Sequence, residues 1–185
     1  RVWTRRLFEY AIQHKYNIAF EGTMRTDAIC NTMNNMMQQG YTVVTRVLAV
    51  PNYLSVLGTL RRYEAMKRER GYGRWVKPED HDAAYVGMLN TVSRIEQEGI
   101  ADWREVYSRP NRLIYQNQPS TIGSLDSFAS AANAITLERN RKPTDAELTA
   151  CIDGWKEVIS MMLERNAPDA EIEAVKALAI RLMPD

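Results

Sequence analysis

Tyr41-Thr42-Val43-Val44-Thr45-Arg46-Val47-Leu48-Ala49-Val50 is the stretch on which the fold turns. Its β-branched and apolar residues suit a pleated, buried surface, the pattern of a central strand. Gly40 stands immediately before it and closes a Met-rich helical run over residues 26–39. Further towards the N-terminus, residues 5–16 place Leu7, Phe8, Ala11 and Ile12 at helical spacing, and Asn17-Ile18-Ala19-Phe20 reads as a short buried strand. Two helix-to-strand units in succession predict an α/β fold, a mostly parallel sheet flanked by helices, with its site beyond the carboxyl ends of the strands. Glu21-Gly22-Thr23 and Ala49-Val50-Pro51 occupy those ends.

In the other direction, residues 52–70 read as a long helix that becomes increasingly basic, broken by Gly71-Tyr72-Gly73 before Arg74-Trp75-Val76. Helical spacing resumes over residues 81–98. Glu105-Val106-Tyr107 and Leu113-Ile114-Tyr115 then suggest a hairpin or a strand with its return. Beyond a Gln118-Pro119-Ser120 turn, helices are expected over about residues 125–139, 146–165 and 170–182, and Thr144 with Glu147 has capping-box spacing. Ile152, Trp155, Ile159, Met162 and Leu163 fall at the spacing of a buried helix face, so this tail reads as packing and not as chemistry. The organisation expected is a core over residues 1–120 and an α-helical C-terminal extension over residues 121–185.

Bulk composition narrows the function classes. Among 185 residues, 45% are hydrophobic and 25% charged, values of a folded globular chain. Lys and Arg number 24 against 23 Asp and Glu, and a net charge of +1 gives no general attraction to nucleic acid or to an acidic membrane. No run approaches the roughly 20 apolar residues of a membrane span, so a cytoplasmic location is expected. Cys30 and Cys151 stand far apart without further ligands at metal spacing, which points to two buried thiols and to neither a disulfide nor a zinc site.

The chemistry-bearing residues form an ordered series. Phe20-Glu21-Gly22-Thr23-Met24-Arg25 sets a carboxylate, a hydroxyl and a cation where a strand gives way to a helix, suited to orienting a hydroxyl or holding an anion, and equally to capping the helix. Arg74, beside a glycine pair, has the context of a lid that delivers charge to a transferring group, whereas on residue counting alone Arg61, Arg62 and Arg74 are a solvated basic face. His81-Asp82 suits a helix start.

Taken together, Asn17 to Thr23 (N-I-A-F-E-G-T), Gly40-Tyr41, Ala49-Val50-Pro51, Ser55 to Gly58, Arg62-Tyr63-Glu64, Arg74 and His81-Asp82 resemble, in order and approximate spacing, the zeta-toxin family of bacterial kinases. The resemblance covers roughly the first hundred residues. It implies a P-loop-kinase-like sheet and ATP-dependent phosphorylation of the amino-sugar hydroxyl of UDP-N-acetylglucosamine, by the toxin of a toxin–antitoxin pair. On this resemblance Glu21, with Thr23 and Arg25 beside it, belongs to the sugar-nucleotide site, and Arg62 and Arg74 match phosphate-facing arginines. ATP and Mg2+ are the implied cofactors, and an antitoxin protein is the implied partner.

One departure stands out. The sequence contains no G-x-x-x-x-G-K-[ST], the loop that cradles ATP phosphates. The expectation is therefore an incomplete core, without its N-terminal strand and P-loop, that transfers no phosphate unless a separate N-terminal kinase segment supplies them. A P-loop kinase for another small molecule and a non-catalytic substrate-binding module are the alternatives. A nucleic-acid binder has least support.

Overall fold

Val44–Leu48 forms β1 of a three-stranded sheet in a computed structural model that describes residues 2–117 and 129–184. The elements before it are α1 (Val2–Gln13) and α2 (Ala28–Gln38). After it come α3 (Asn52–Arg70), α4 (Pro78–Glu98), β2 (Trp103–Ser108), β3 (Arg112–Gln116), α5 (Ala131–Asn140), α6 (Asp145–Glu164) and α7 (Asp169–Leu182). The Gln118-Pro119-Ser120 turn, the expected helix start at residues 125–128 and the boundary at residues 120–121 lie outside the described residues.

The sheet has the order β1-β2-β3, with β1 parallel to β2 and β2 antiparallel to β3. The α/β expectation holds, while the mostly parallel sheet is corrected to a small mixed one: residues 112–116 return beside β2 as the second arm of a hairpin. A second correction concerns Asn17 to Phe20, which is irregular and not a strand. Strand backbone needs a neighbour to accept its hydrogen bonds, and among the described residues β1 has its ladder with β2 and none with this segment. α1 is equally unsupported. None of its residues is buried, Trp3 is 81% exposed, and Phe8 meets Phe20 edge-on at 6.0 Å between ring centroids.

One face of the sheet is covered. Val47 and Val106, cross-strand partners, pack with Ile114, Val92 of α4 and Ala131, Ala134 and Ile135 of α5. The opposite face is open: Val44, Leu48 and Trp103 are 38–42% exposed, around a hydrogen-bonded Arg46–Glu105–Tyr107 group. A parallel pair normally has both faces covered, so this face and the free edge of β1 are unfinished among the described residues.

α3 leaves β1 through Pro51 and buries Tyr53, Leu57 and Leu60 against Cys151, Trp155, Val158 and Met162 of α6 and Ile172 and Val175 of α7. Gly154 makes this crossing close, since a Cβ there would lie 2.9 Å from Leu57 Cδ2. A third cluster joins Cys30 and Met33 of α2 to Val43, Ile95, Ile100 and Ala101. Burial pushes both thiols upward from their ordinary range, in keeping with inert core cysteines.

The expected capping box closes the start of α6. Thr144 Oγ1 accepts from the Glu147 N–H and the Glu147 carboxylate accepts from the Thr144 N–H. Arg141 then pairs with the same carboxylate, and these contacts hold the Glu147 carboxyl at about 2. Because its folded value lies below that of the unfolded chain, Glu147 contributes stability that is complete above about pH 4.5 and lost as pH falls towards 2. Thr144→Ala is expected to cost about 1 kcal/mol at pH 7. Glu147→Gln should flatten the pH dependence of urea unfolding between about pH 5 and pH 2.

Candidate functional site

Residues 20–27 form an irregular loop that leads into α2 and is fixed by α4. Thr91, buried in α4, donates from Oγ1 to the Met24 carbonyl at 2.9 Å. One turn earlier, Gly87 lets the loop backbone touch the helix: a Cβ there would stand 2.0 Å from the Arg25 carbonyl oxygen. Arg25 Nη1 reaches Asp80 Oδ1 at 2.6 Å, and Arg94 holds Asp27 at 2.5 Å. Met24 adopts a left-handed backbone, φ 51°, at the corner between these anchors.

This anchored loop opens a groove of ≈ 630 Å3, lined by Phe20, Thr23, Met24 and Arg25 with Thr26 and Thr32. Three threonine hydroxyls and one guanidinium face Phe20, Met24, Ala28 and Ile29, which makes it an open groove of mixed polar and apolar lining. Arg25 and Asp80 are about half exposed, and an exposed pair of this kind contributes little, so Arg25 is available to an anionic ligand. Glu21 is exposed just before the groove and has no ion pair among the described residues.

Gly87→Ala is the sharpest probe of the anchoring, since backbone atoms on both sides leave no flexible group to give way. The replacement is expected to displace residues 24–25 and cost roughly 1–3 kcal/mol, the range for overpacking. Urea unfolding checks the cost, and loss of amide protection at residues 24–27 checks the displacement.

The second part of the site lies on α3. Gly71 ends that helix in a left-handed cap, φ 76°, with its N–H donating to the Lys67 carbonyl. The following residues, 71–77, turn back along α3 as a strap. Gly73 has no room for a side chain, because a Cβ would lie 2.5 Å from the Tyr63 carbonyl oxygen. Trp75 meets the Tyr63 ring edge-on at 5.1 Å, and Lys67 Nζ lies 4.6 Å from the centre of the same ring. The two glycines thus do different work, one as a helix cap and one as a close contact. Arg74 is exposed on the strap, next to the Gly73 contact with Tyr63, and exposed Arg62 is the neighbour of Tyr63 on α3.

His81 joins the start of α4 to the start of α3. In the first turn of α4, its Nε2 is 2.9 Å from Ser55 Oγ in the first turn of α3, and its Nδ1 is 3.1 Å from Asp82 Oδ1. Tyr85, stacked on His81, donates to the Val50 carbonyl at the carboxyl end of β1. Tyr85 also carries the Arg139 guanidinium 3.6 Å above its ring centre. Desolvation raises the Tyr85 hydroxyl and lowers the Arg139 guanidinium from their ordinary values.

α3 is in turn braced from the C-terminal helices. Glu64, 2% exposed, accepts from Arg165 Nε and Nη2 at 2.7 and 3.0 Å, and Arg165 Nη2 also reaches Glu171 at 2.6 Å. Arg61 pairs with Glu157 of α6 at 2.6 Å. Two carboxylates raise the Arg165 guanidinium and keep it charged.

The structure therefore groups Thr23 and Arg25 on one groove, leaves Glu21 exposed just before it, and places Arg62 and Arg74 away from that groove's lining, each the exposed chain neighbour of one member of the Tyr63–Gly73 contact. Sequence reasoning passed over Gly87 and Thr91, and quoted Glu64 within the Arg62-Tyr63-Glu64 motif without giving it a role. A glycine inside a helical pattern marks a close approach, which could have singled out Gly87; Thr91 and Glu64 look like ordinary helix residues. Among the described residues no group of three His, Cys, Asp or Glu is placed to hold a metal ion, and no helix is long and apolar enough to cross a membrane.

The sequence profile of the family described as Zeta toxin matches residues 1–120. Toxin zeta of Streptococcus pyogenes is 25% identical over 171 residues, covering 91% of this chain and 57% of its own length. Toxin zeta of Enterococcus hirae is 27% identical over 173 residues with the same shares. Toxin PezT of Streptococcus pneumoniae serotype 4 is 28% identical over 114 residues, 60% of this chain and 45% of its own. The chain thus spans less than two thirds of the length of these curated relatives. A solved structure from the PezAT chromosomal toxin-antitoxin system of Streptococcus pneumoniae matches the fold with a TM-score of 0.68 at 22% identity, over 85% of this chain and 61% of that one.

Proposed function

The chain belongs to the zeta toxin family, and on that premise we propose that it forms the acceptor-site and strap portion of an ATP-dependent kinase acting as the toxin of a toxin–antitoxin pair. Its acceptor is a sugar nucleotide, UDP-N-acetylglucosamine. The observation that carries this reading is the groove at Thr23 and Arg25, anchored by Thr91 and Gly87 of α4; exposed Arg62 and Arg74 add to it two cations without a carboxylate among the described residues. In the salt-bridge pattern of the described residues neither arginine has a carboxylate, so their charge is available to phosphate oxygens.

ATP supplies the phosphoryl group when it is bound. Within this chain, Arg62 and Arg74 fit the outer side of a phosphate chain, while the G-x-x-x-x-G-K-[ST] cradle is not among its residues. The chain likewise offers no three-ligand set for Mg2+ among the described residues, and no ligand of that ion is assigned to it. Glu21 accepts a hydrogen bond from an acceptor hydroxyl and orients it; Thr23 and Arg25 hold the acceptor's polar and anionic groups in the groove.

The open face and edge of the sheet support a P-loop unit as the missing partner. A strand laid parallel along β1, followed by a helix, would cover Val44 and Leu48 and would give the Asn17 to Phe20 segment the neighbour that it lacks. An antitoxin is the further partner that family membership suggests. The second reading, a substrate-binding module without transfer, draws on the lack of the phosphate cradle in these residues.

The test is Glu21→Gln in a protein that joins this chain to a P-loop segment. Turnover or acceptor affinity should fall while the melting temperature stays unchanged, because Glu21 is exposed and unpaired. Normal activity with a lower melting temperature would return Glu21 to a turn or capping role.

A further inference from the structure

Asp80, Gly87 and Thr91 stand seven and then four residues apart on α4, the spacing of one helix face. All three meet the groove loop. Thr91 donates to the Met24 carbonyl and Gly87 lies against the Arg25 carbonyl, so these two fix backbone. Asp80 instead holds a side chain: Arg25 Nη1 donates to its Oδ1 at 2.6 Å, the one hydrogen bond of that guanidinium among the described residues. Both side chains are about half exposed. The guanidinium can therefore change partner while the loop stays in place.

Arg94 of the same helix is shared between Asp27 and Glu98, a cation committed to holding the loop. Arg25 has Asp80 alone among the described residues, and it is Arg25 that lines the groove. Asp80 also has a second favourable place. As the third residue of α4 it sits where the positive end of the helix dipole favours a carboxylate, so an anion that takes Arg25 does not strand it.

We propose that Asp80 is an autoinhibitory stand-in for the anionic group of the groove's ligand: its carboxylate holds Arg25 until a ligand phosphate takes its place, and it then turns back to the start of its own helix. The inference rests on the kinase reading above, which gives Thr23 and Arg25 the acceptor, and adds to it a residue that weakens acceptor binding. The strength of an exposed ion pair sets the size of the effect. Competition by such a pair lowers the affinity of an anionic ligand about two- to sixfold.

NMR titration of the whole chain with UDP-N-acetylglucosamine, read at the amides of residues 23–32, measures the affinity, and N-acetylglucosamine serves as the probe without a phosphate. Asp80→Asn should tighten the sugar nucleotide about two- to sixfold and leave the response to N-acetylglucosamine unchanged. Arg25→Met should weaken the sugar nucleotide, and Asp80→Asn added to it should change nothing further, because a competitor acts only through the residue it competes for. Unchanged binding by Asp80→Asn would overturn the proposal, and weaker binding would make Asp80 a residue that orients Arg25. Equal tightening with and without Arg25, or no binding of the sugar nucleotide, would overturn it as well. Arg25→Met tells the two failures apart: where it weakens binding and Asp80→Asn does nothing, only the proposal falls, and where it changes nothing, the reading of the groove falls with it.

Discussion

Replacing Arg74 by alanine, in a protein that joins this chain to a P-loop segment, is expected to lower kcat by on the order of 10³-fold or more, the range for arginines that neutralise a transferring phosphoryl group. The physical ground is position. Arg74 rides on a strap fixed to α3 by the Gly73 contact and by Trp75, exposed and without a carboxylate among the described residues. Arg74→Lys should rescue only part of the rate. A guanidinium spans two phosphate oxygens in a fixed fork, whereas an ammonium offers one compact charge and loses the bidentate geometry. Melting of all three proteins should coincide, since no buried contact is removed. Steady-state phosphorylation of UDP-N-acetylglucosamine gives the rates, and an alanine variant with near-normal kcat would make Arg74 a solvated surface residue.

Arg165→Met should have the largest effect on stability. It leaves the Glu64 carboxylate, 3% exposed, facing the α3–α6 interface without a counter-ion, and breaking a buried pair from one side costs about 3–5 kcal/mol. In a chain of this size that corresponds to a fall in melting temperature on the order of 10 °C. Glu171, at 38% exposure, can return to water and adds little to the loss. The double replacement Glu64→Leu with Arg165→Leu removes both charges and should recover most of the stability, because the cost lies in the unpaired charge and not in the absence of the pair. Urea unfolding of the single and double variants measures both. A single-variant loss below about 1 kcal/mol would mean that water reaches Glu64.

Local signals were legible where local chemistry decides the outcome. Val43 to Leu48 announce a strand through β-branching, Gly40 and Gly71 follow their helices in the left-handed conformation, and Thr144 with Glu147 builds the expected capping box. Asn17 to Phe20 carries the same kind of strand signal, yet a strand exists only with a neighbour, and none stands beside it among the described residues. The spacing revealed a buried face on α6 at Trp155 and Met162, but Ile152 and Leu163, expected on the same face, are 40% and 59% exposed, and α3 as its cover was not readable. Glu64 reads as a routine helix charge until Arg165, 101 residues later, is brought against it. At the site, Thr23 and Arg25 share a groove, but what fixes their loop is Gly87 and Thr91 on α4, two positions chosen by the shape of a neighbour and not by any local pattern.

The proposed role of this chain is the acceptor side and the strap of a sugar-nucleotide kinase, to which a P-loop segment adds the phosphate cradle that these 185 residues do not contain. The most direct measurement is transfer of the γ-phosphate of ATP to UDP-N-acetylglucosamine, followed by mass spectrometry, with the chain alone and with a protein that joins it to a P-loop segment. No transfer is expected from the chain alone, and a singly phosphorylated amino sugar is expected from the joined protein. Transfer by the chain alone, or a joined protein that leaves the sugar nucleotide unmodified, would contradict it.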